Sequence, residues 1–172
     1  MNLFPALCVM TALAFGQATT TSPTTTTAKP AAKGASKAGS KASAKSGRTV
    51  ELTTGDNMKY DTTEITAKPG EALHVVVKNT GTMPKIAMAH NFVLLKAGTD
   101  AAEFSKAAFN ARETDFIPPA MKDAVLANTP LAGAGETAEV SFKAPAKPGT
   151  YTFLCSFPGH FALGMRGTLT VK

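Results

Sequence analysis

Residues 151–171 read Tyr151-Thr-Phe-Leu-Cys155-Ser-Phe-Pro-Gly-His160-Phe-Ala-Leu-Gly-Met165-Arg-Gly-Thr-Leu-Thr-Val171. Both ends have the composition of strands, and in the second Leu169 and Val171 point opposite Thr168 and Thr170. Between them Pro158-Gly159 lets the chain turn back sharply. A loop fixed by strands at Tyr151–Cys155 and Arg166–Val171 can therefore aim a thiol, an imidazole and a thioether, from Cys155, His160 and Met165, at one point. A cysteine taken alone is more often buried and inert than functional. These neighbours reverse that preference.

Working outward, further strands are expected at Thr49–Thr54, Met58–Tyr60, Glu64–Ala67, Leu73–Asn79, Phe92–Leu95 and Glu139–Lys143. Pro69-Gly70, Pro148-Gly149 and Gly133-Ala134-Gly135 supply turns. The pattern predicts an all-β fold, a two-sheet antiparallel sandwich. Val75 and Val77 lie opposite His74 and Lys78, which places His74 on the solvent side with no ligand role. One stretch departs from strand character. Asp100 to Arg112 carries Ala, Phe and Lys at helical spacing, with Thr99 or Asp100 as N-cap, and reads as one short inserted helix. Pro118-Pro119 stops it, and the following residues to Ala127 read as loop.

The first 48 residues have another character. An apolar run from Leu3 to Phe15, followed by small residues, reads as a signal peptide over 1–18, with Cys8 inside it; left uncleaved, the run would instead anchor the chain to the envelope. Residues 19–48 are Thr, Ser, Pro, Ala, Gly and Lys without aromatics or large branched aliphatics, and cannot bury a core. Lys29, Lys33, Lys37, Lys41 and Lys45 recur every fourth residue, a spacing at which like charges oppose helix. A disordered spacer is expected there, and one folded domain over 49–172.

All 12 acidic residues and 12 of the 18 basic ones fall in 49–172, so that part is neutral and the net +6 belongs to the spacer. Without a basic excess in the fold, or aromatics in the tail, nucleic acid is not an expected partner. The tail serves as a solvated tether; its sharper reading is weak attraction to an anionic envelope surface. Removal of 1–18 would leave Cys155 alone in an oxidising compartment, periplasmic or otherwise outside the cytoplasm, with no intramolecular disulfide available.

With Cys155, His160 and Met165 on one loop, one more nitrogen donor is wanted, and His90, at the start of the expected strand Phe92–Leu95, is its natural source. Thiolate and thioether suit Cu(I), imidazole suits both copper oxidation states, and methionine is a poor zinc ligand. Two histidines, one cysteine and a weak axial methionine make the donor set of a type 1, or blue, copper site. Such a site exchanges single electrons with little ligand movement.

The segments Met83-Pro-Lys-Ile-Ala-Met-Ala-His90-Asn-Phe and Cys155-Ser-Phe-Pro-Gly-His160 closely resemble the two copper-binding segments of azurins. Gly55-Asp56-Asn57-Met58-Lys59-Tyr60 resembles an azurin opening, and Leu131-Ala-Gly-Ala-Gly-Glu136 the stretch before the penultimate strands. The resemblance, covering nearly all of 49–172, implies the cupredoxin fold, a Greek-key β-sandwich. Four residues separate His160 from Met165, one more than in azurins and as in auracyanins and plastocyanins. Ala89 stands where azurins have a glycine whose carbonyl is a distant axial contact. Asn79 falls where azurins carry a non-ligand histidine. The resemblance also gives Asn91 a tie to the cysteine loop near Ser156, and aims the backbone N–H groups of Asn91 and Phe157 at the Cys155 sulfur. It places Met83, Met88 and Phe157 in an apolar collar around the edge of His160, where redox partners would dock; Phe161 is read as core.

The function implied is an exported, monomeric electron carrier, not an enzyme. A copper chaperone or sequestering protein is the alternative, and would present its ligands in open, exchangeable loops. A Cys–His nucleophile would leave Met165 unexplained and lacks an orienting third group. An oxidase would need further metal sites, for which three histidines are too few.

Overall fold

The computed structural model describes residues 47–172. The expected signal peptide, Cys8 and the lysine repeat lie outside the described residues. Eight strands are present: β1 (Arg48–Thr54), β2 (Glu64–Ala67), β3 (Ala72–Asn79), β4 (Val93–Leu95), β5 (Val125–Asn128), β6 (Thr137–Lys143), β7 (Gly149–Leu154) and β8 (Arg166–Val171). They form two sheets, ordered β1-β3-β6 and β2-β8-β7-β4-β5. Most neighbours run antiparallel; β1 with β3 and β2 with β8 run parallel, one such pair in each sheet.

The alternation read from the sequence is what closes the sandwich. Leu52, Leu73, Val75 and Val77 of the small sheet face Phe92, Leu94, Phe153, Leu169 and Val171 on the other side, all buried in one cluster. Each such Leu or Phe side chain contributes about 1.5–3 kcal/mol on burial. Strand β4 is buried along its whole length because the outer face of its sheet is covered too. Val93, Leu95 and Leu154 pack there with Phe104 of the helix α1 (Ala101–Ala108), joined by Ile117 and Met121. Asp100 caps α1 by accepting hydrogen bonds from the N–H groups of Ala102 and Glu103.

Four expectations need correction. Met58–Tyr60 is not a strand: a turn at Asp56-Asn57 leads to Met58 in the left-handed region, φ 54°, and the three residues pair with no neighbour in a sheet. The stretch read as loop up to Ala127 contains a 3₁₀ helix, Pro119–Ala124, and then β5. There Pro118 and Pro119 begin a turn that satisfies its own carbonyls, and β5 completes the edge beside β4. β1 starts at Arg48, whose guanidinium is 2.7 Å from Glu71. His74 is buried, not solvent-exposed. On the outward face of β3 it lies between Thr49 and Ser141, with Nε2 3.0 Å from Glu139 Oε2. Periodicity assigns a face; flanking strands and a diagonal neighbour decide whether that face is open.

Candidate metal centre

The loop from Cys155 to Met165 continues the β7–β8 hairpin. The Cys155 N–H donates to the Met165 carbonyl across its neck, and the Met165 N–H donates back to the His160 carbonyl at 2.9 Å. Two residues reverse the chain inside it, Gly159 at φ +85° and Gly164 at φ +94°, where any other residue would be strained. Cys155 and Met165 are fully buried in the main core.

His90 arrives from the other side. Its backbone forms a two-way bridge with Ala132, N–H to carbonyl at 3.0 Å and carbonyl from N–H at 2.8 Å, and Asn79 Nδ2 donates to the same Ala132 carbonyl. Asn79 thus supports the bridge that carries His90. The Asn79 side chain also accepts from the Gly81 N–H.

The structure brings together His90, Cys155 and His160: one donor atom from each lies within 4.8 Å of the others, and all three side chains are buried. His160 Nδ1 is 3.5 Å from Cys155 Sγ. Met165 is buried at the end of the same loop, and the Ala89 carbonyl is 4.0 Å from Cys155 Sγ. Asn91 ties the two segments in both directions. Its Nδ2 donates to Ser156 Oγ, and its Oδ1 accepts from the Ser156 N–H, each at 2.9 Å. The backbone N–H groups of Asn91 and Phe157 face the Cys155 sulfur. The Phe157 ring lies 4.8 Å from the His160 ring and edge-on to Phe116.

The electrostatics fit a soft cation. Burial pushes the Cys155 thiol up to about 12, against the favourable N–H groups of Asn91 and Phe157. Burial holds His90 down to about 4, although the Gly55 carbonyl and the Asp56 carboxylate favour its charged form. Burial, then the charge of His90, brings His160 to about 4. Both imidazoles are therefore neutral near pH 7, each with a lone pair available, and neither buried ring nitrogen of His90 has a partner at good hydrogen-bond geometry, although the Gly55 carbonyl faces the ring. A buried polar atom left unpaired is costly. A metal ion on the unprotonated ring nitrogen would satisfy its lone pair, leaving the ring N–H to the Gly55 carbonyl, and would let Cys155 ionise.

Sequence reasoning missed two supporting residues. Thr129, buried, accepts the Phe92 N–H at 3.0 Å. Tyr60, buried, makes a short hydrogen bond from its hydroxyl to the Asn91 carbonyl. An isolated threonine in a loop carries no signal. Tyr60 carries one: it is one of only two tyrosines in the chain, and a phenol in an apolar run needs a buried partner.

Residues 47–172 match the family described as copper binding proteins, plastocyanin/azurin family. Azurin iso-2 of Methylomonas sp. (strain J) is 39% identical over 124 residues, which cover 70% of this chain and 95% of that protein. Outer membrane protein H.8 of Neisseria meningitidis serogroup B is 42% identical over 127 residues, 72% of this chain and 66% of the relative. The crystal structure of Na-dithionite reduced auracyanin from Roseiflexus castenholzii superimposes with a TM-score of 0.64 at 40% identity, over 72% of this chain and 96% of that one. On a match spanning its whole described fold, and on a buried His90–Cys155–His160 cluster of the matching chemistry, the chain belongs to the plastocyanin/azurin family of copper binding proteins.

Proposed function

We propose that the protein is an exported type 1 copper protein that passes single electrons between redox partners. The observation that carries this reading is the convergence of His90, Cys155 and His160 in one buried cluster. Cys155, His90 and His160 would hold the copper as its principal donors, with Met165 as a weaker one. Copper, when bound, supplies a one-electron Cu(I)/Cu(II) couple.

The chain's own residues do the rest. The hairpin neck and the Asn91–Ser156 ties keep the donors in place during the redox cycle, which favours fast transfer. N–H groups of Asn91 and Phe157 directed at the sulfur adjust its donor strength and so the potential. The Ala89 carbonyl is a further, distant contact. Met88 and Phe157, nearly buried, and Met83, more open, form an apolar collar at which a donor or acceptor protein docks beside His160. Closed burial of the donors argues for a carrier over a chaperone, which must hand its metal on. Export rests on the apolar run at residues 3–15, a signal peptide over 1–18, and on likeness to a relative named as an outer membrane protein. Residues 19–46 serve as a basic tether.

The test is the visible spectrum of the full chain loaded with Cu(II). An intense thiolate-to-copper band, lost in Cys155→Ser, is expected. A colourless loaded protein refutes the reading.

A further inference from the structure

The stretch Met58-Lys59-Tyr60 forms no ladder, yet it touches both segments that carry the metal donors. The Tyr60 hydroxyl donates to the Asn91 carbonyl, and on the other side of that same peptide the Phe92 N–H donates to Thr129 Oγ1. Lys59 Nζ donates to the Leu163 carbonyl at 2.8 Å, a contact 104 residues away in sequence. A Cβ at Gly164 would come within 3.1 Å of that ammonium. The other backbone bonds of the loop 160–164 are local turns, His160 to Phe157, Leu163 to Gly159, Gly164 to Phe161, Met165 to His160 and Arg166 to Gly164, and the Leu163 side chain is exposed. Lys59 is thus the hydrogen bond by which a distant part of the chain holds the outer arm of the loop.

The stretch is itself anchored. The Met58 N–H closes a turn on the Gly55 carbonyl, and the Lys59 N–H donates to Asn57 Oδ1. Asp56 accepts from the Thr82 N–H at 3.0 Å and from the Thr82 hydroxyl at 2.9 Å, fastening the turn to the loop that leads to His90. Left-handed backbone at a non-glycine residue costs on the order of 1–3 kcal/mol. Met58 adopts it, so the surrounding contacts over-determine this geometry.

We propose that Lys59 and Tyr60 are positioning residues that form a two-point brace, Tyr60 holding the His90–Asn91 segment and Lys59 the His160–Met165 loop in fixed relation. The proposal rests on the copper reading for its spectroscopic consequences, but the brace acts on the chain with or without metal. Tyr60 fixes the carbonyl of the residue whose side chain grips Ser156 and whose N–H faces the Cys155 sulfur. Lys59 limits the travel of Leu163 and Gly164, and through them of Met165.

The experiment compares the full chain with Lys59→Met, Lys59→Arg and Tyr60→Phe, which keeps the ring packed 5.5 Å from Phe153. In the copper-free proteins, amide hydrogen exchange is read at 156–165. In the copper-loaded proteins, the relative intensities of the thiolate-to-copper bands and the reduction potential are read. Lys59→Met should speed exchange at Leu163, Gly164 and Met165 severalfold and alter the band ratio, and Lys59→Arg should restore both. Tyr60→Phe should speed exchange at Ser156 and Phe157 and shift the potential, leaving 163–165 unchanged. Wild-type exchange in Lys59→Met and Tyr60→Phe, or failure of Lys59→Arg to restore it, overturns the brace. If wild-type protein shows no thiolate-to-copper band, the copper reading falls, and exchange in the copper-free proteins still decides the brace.

Discussion

Copper affinity should follow pH with a slope of one proton across a wide range. In the copper-free protein Cys155 is held protonated, at about 12, while His90 and His160, at about 4, are already neutral. Between pH 6 and pH 9 the metal therefore displaces one proton, from the thiol, and none from the imidazoles. Each pH unit should tighten binding tenfold, so affinity for Cu(I) should rise about 1,000-fold over the three units, or about 4 kcal/mol at about 1.4 kcal/mol per decade. Below pH 4 the slope should steepen toward three as both histidines protonate. The assay is competition with a Cu(I) chelator of known proton dependence, at fixed ionic strength. A slope of two between pH 6 and 9 would show an imidazole that must also lose a proton, contrary to its burial. A flat profile would mean that Cys155 is already a thiolate without metal. Either result refutes the electrostatic account of the site.

The same histidines govern the stability of the copper-free fold. Their folded values lie below the unfolded value near 6.5, so in between the unfolded chain binds more protons; denaturant midpoints should rise from about pH 4 to about pH 6.5 and then level. Met165→Leu should keep the charge-transfer band and raise the potential, because a donor favouring Cu(II) is removed; loss of copper binding would make Met165 a principal ligand. Asn91→Ala breaks two buried hydrogen bonds and leaves the Ser156 N–H unpaired. That costs about 2–4 kcal/mol, a fall in Tm of roughly 10 °C for a domain of this size; an unchanged Tm by calorimetry would contradict the tie. Deleting residues 19–46 should remove most of the salt dependence of electron transfer with an anionic partner while leaving the visible spectrum intact, since five of the six net positive charges lie there; stopped-flow rates across ionic strength check this.

Much of this architecture is legible in the chain. Val75, Val77, Leu169 and Val171 reveal their strands because one face is packed and the alternation survives. The donors are legible because the hairpin loop compresses three of them into eleven residues. What escaped depends on long-range partners. Leu126 and Ala127 of β5 carry little alternation, and the strand exists because the β4 edge is there to receive it. Met58–Tyr60 has strand-like composition but is set by hydrogen bonds from Thr82 to Asp56 and from Lys59 to Leu163, pairings invisible to any local window. His74 reads as outward correctly, and only the diagonal Glu139 and the flanking strands enclose it.

Strand β7 is gripped on both sides where it delivers Cys155. Phe153 lies in the core between the sheets, and Leu154 in the separate cluster under α1. Such a strand does not wait for metal to be ordered, so assembly runs in one sequence: the polypeptide folds first and is charged with its ion afterwards. Ordering of the proposed donors is then a cost met during folding, and an ion bound by them would enter past His160, the least enclosed of the three.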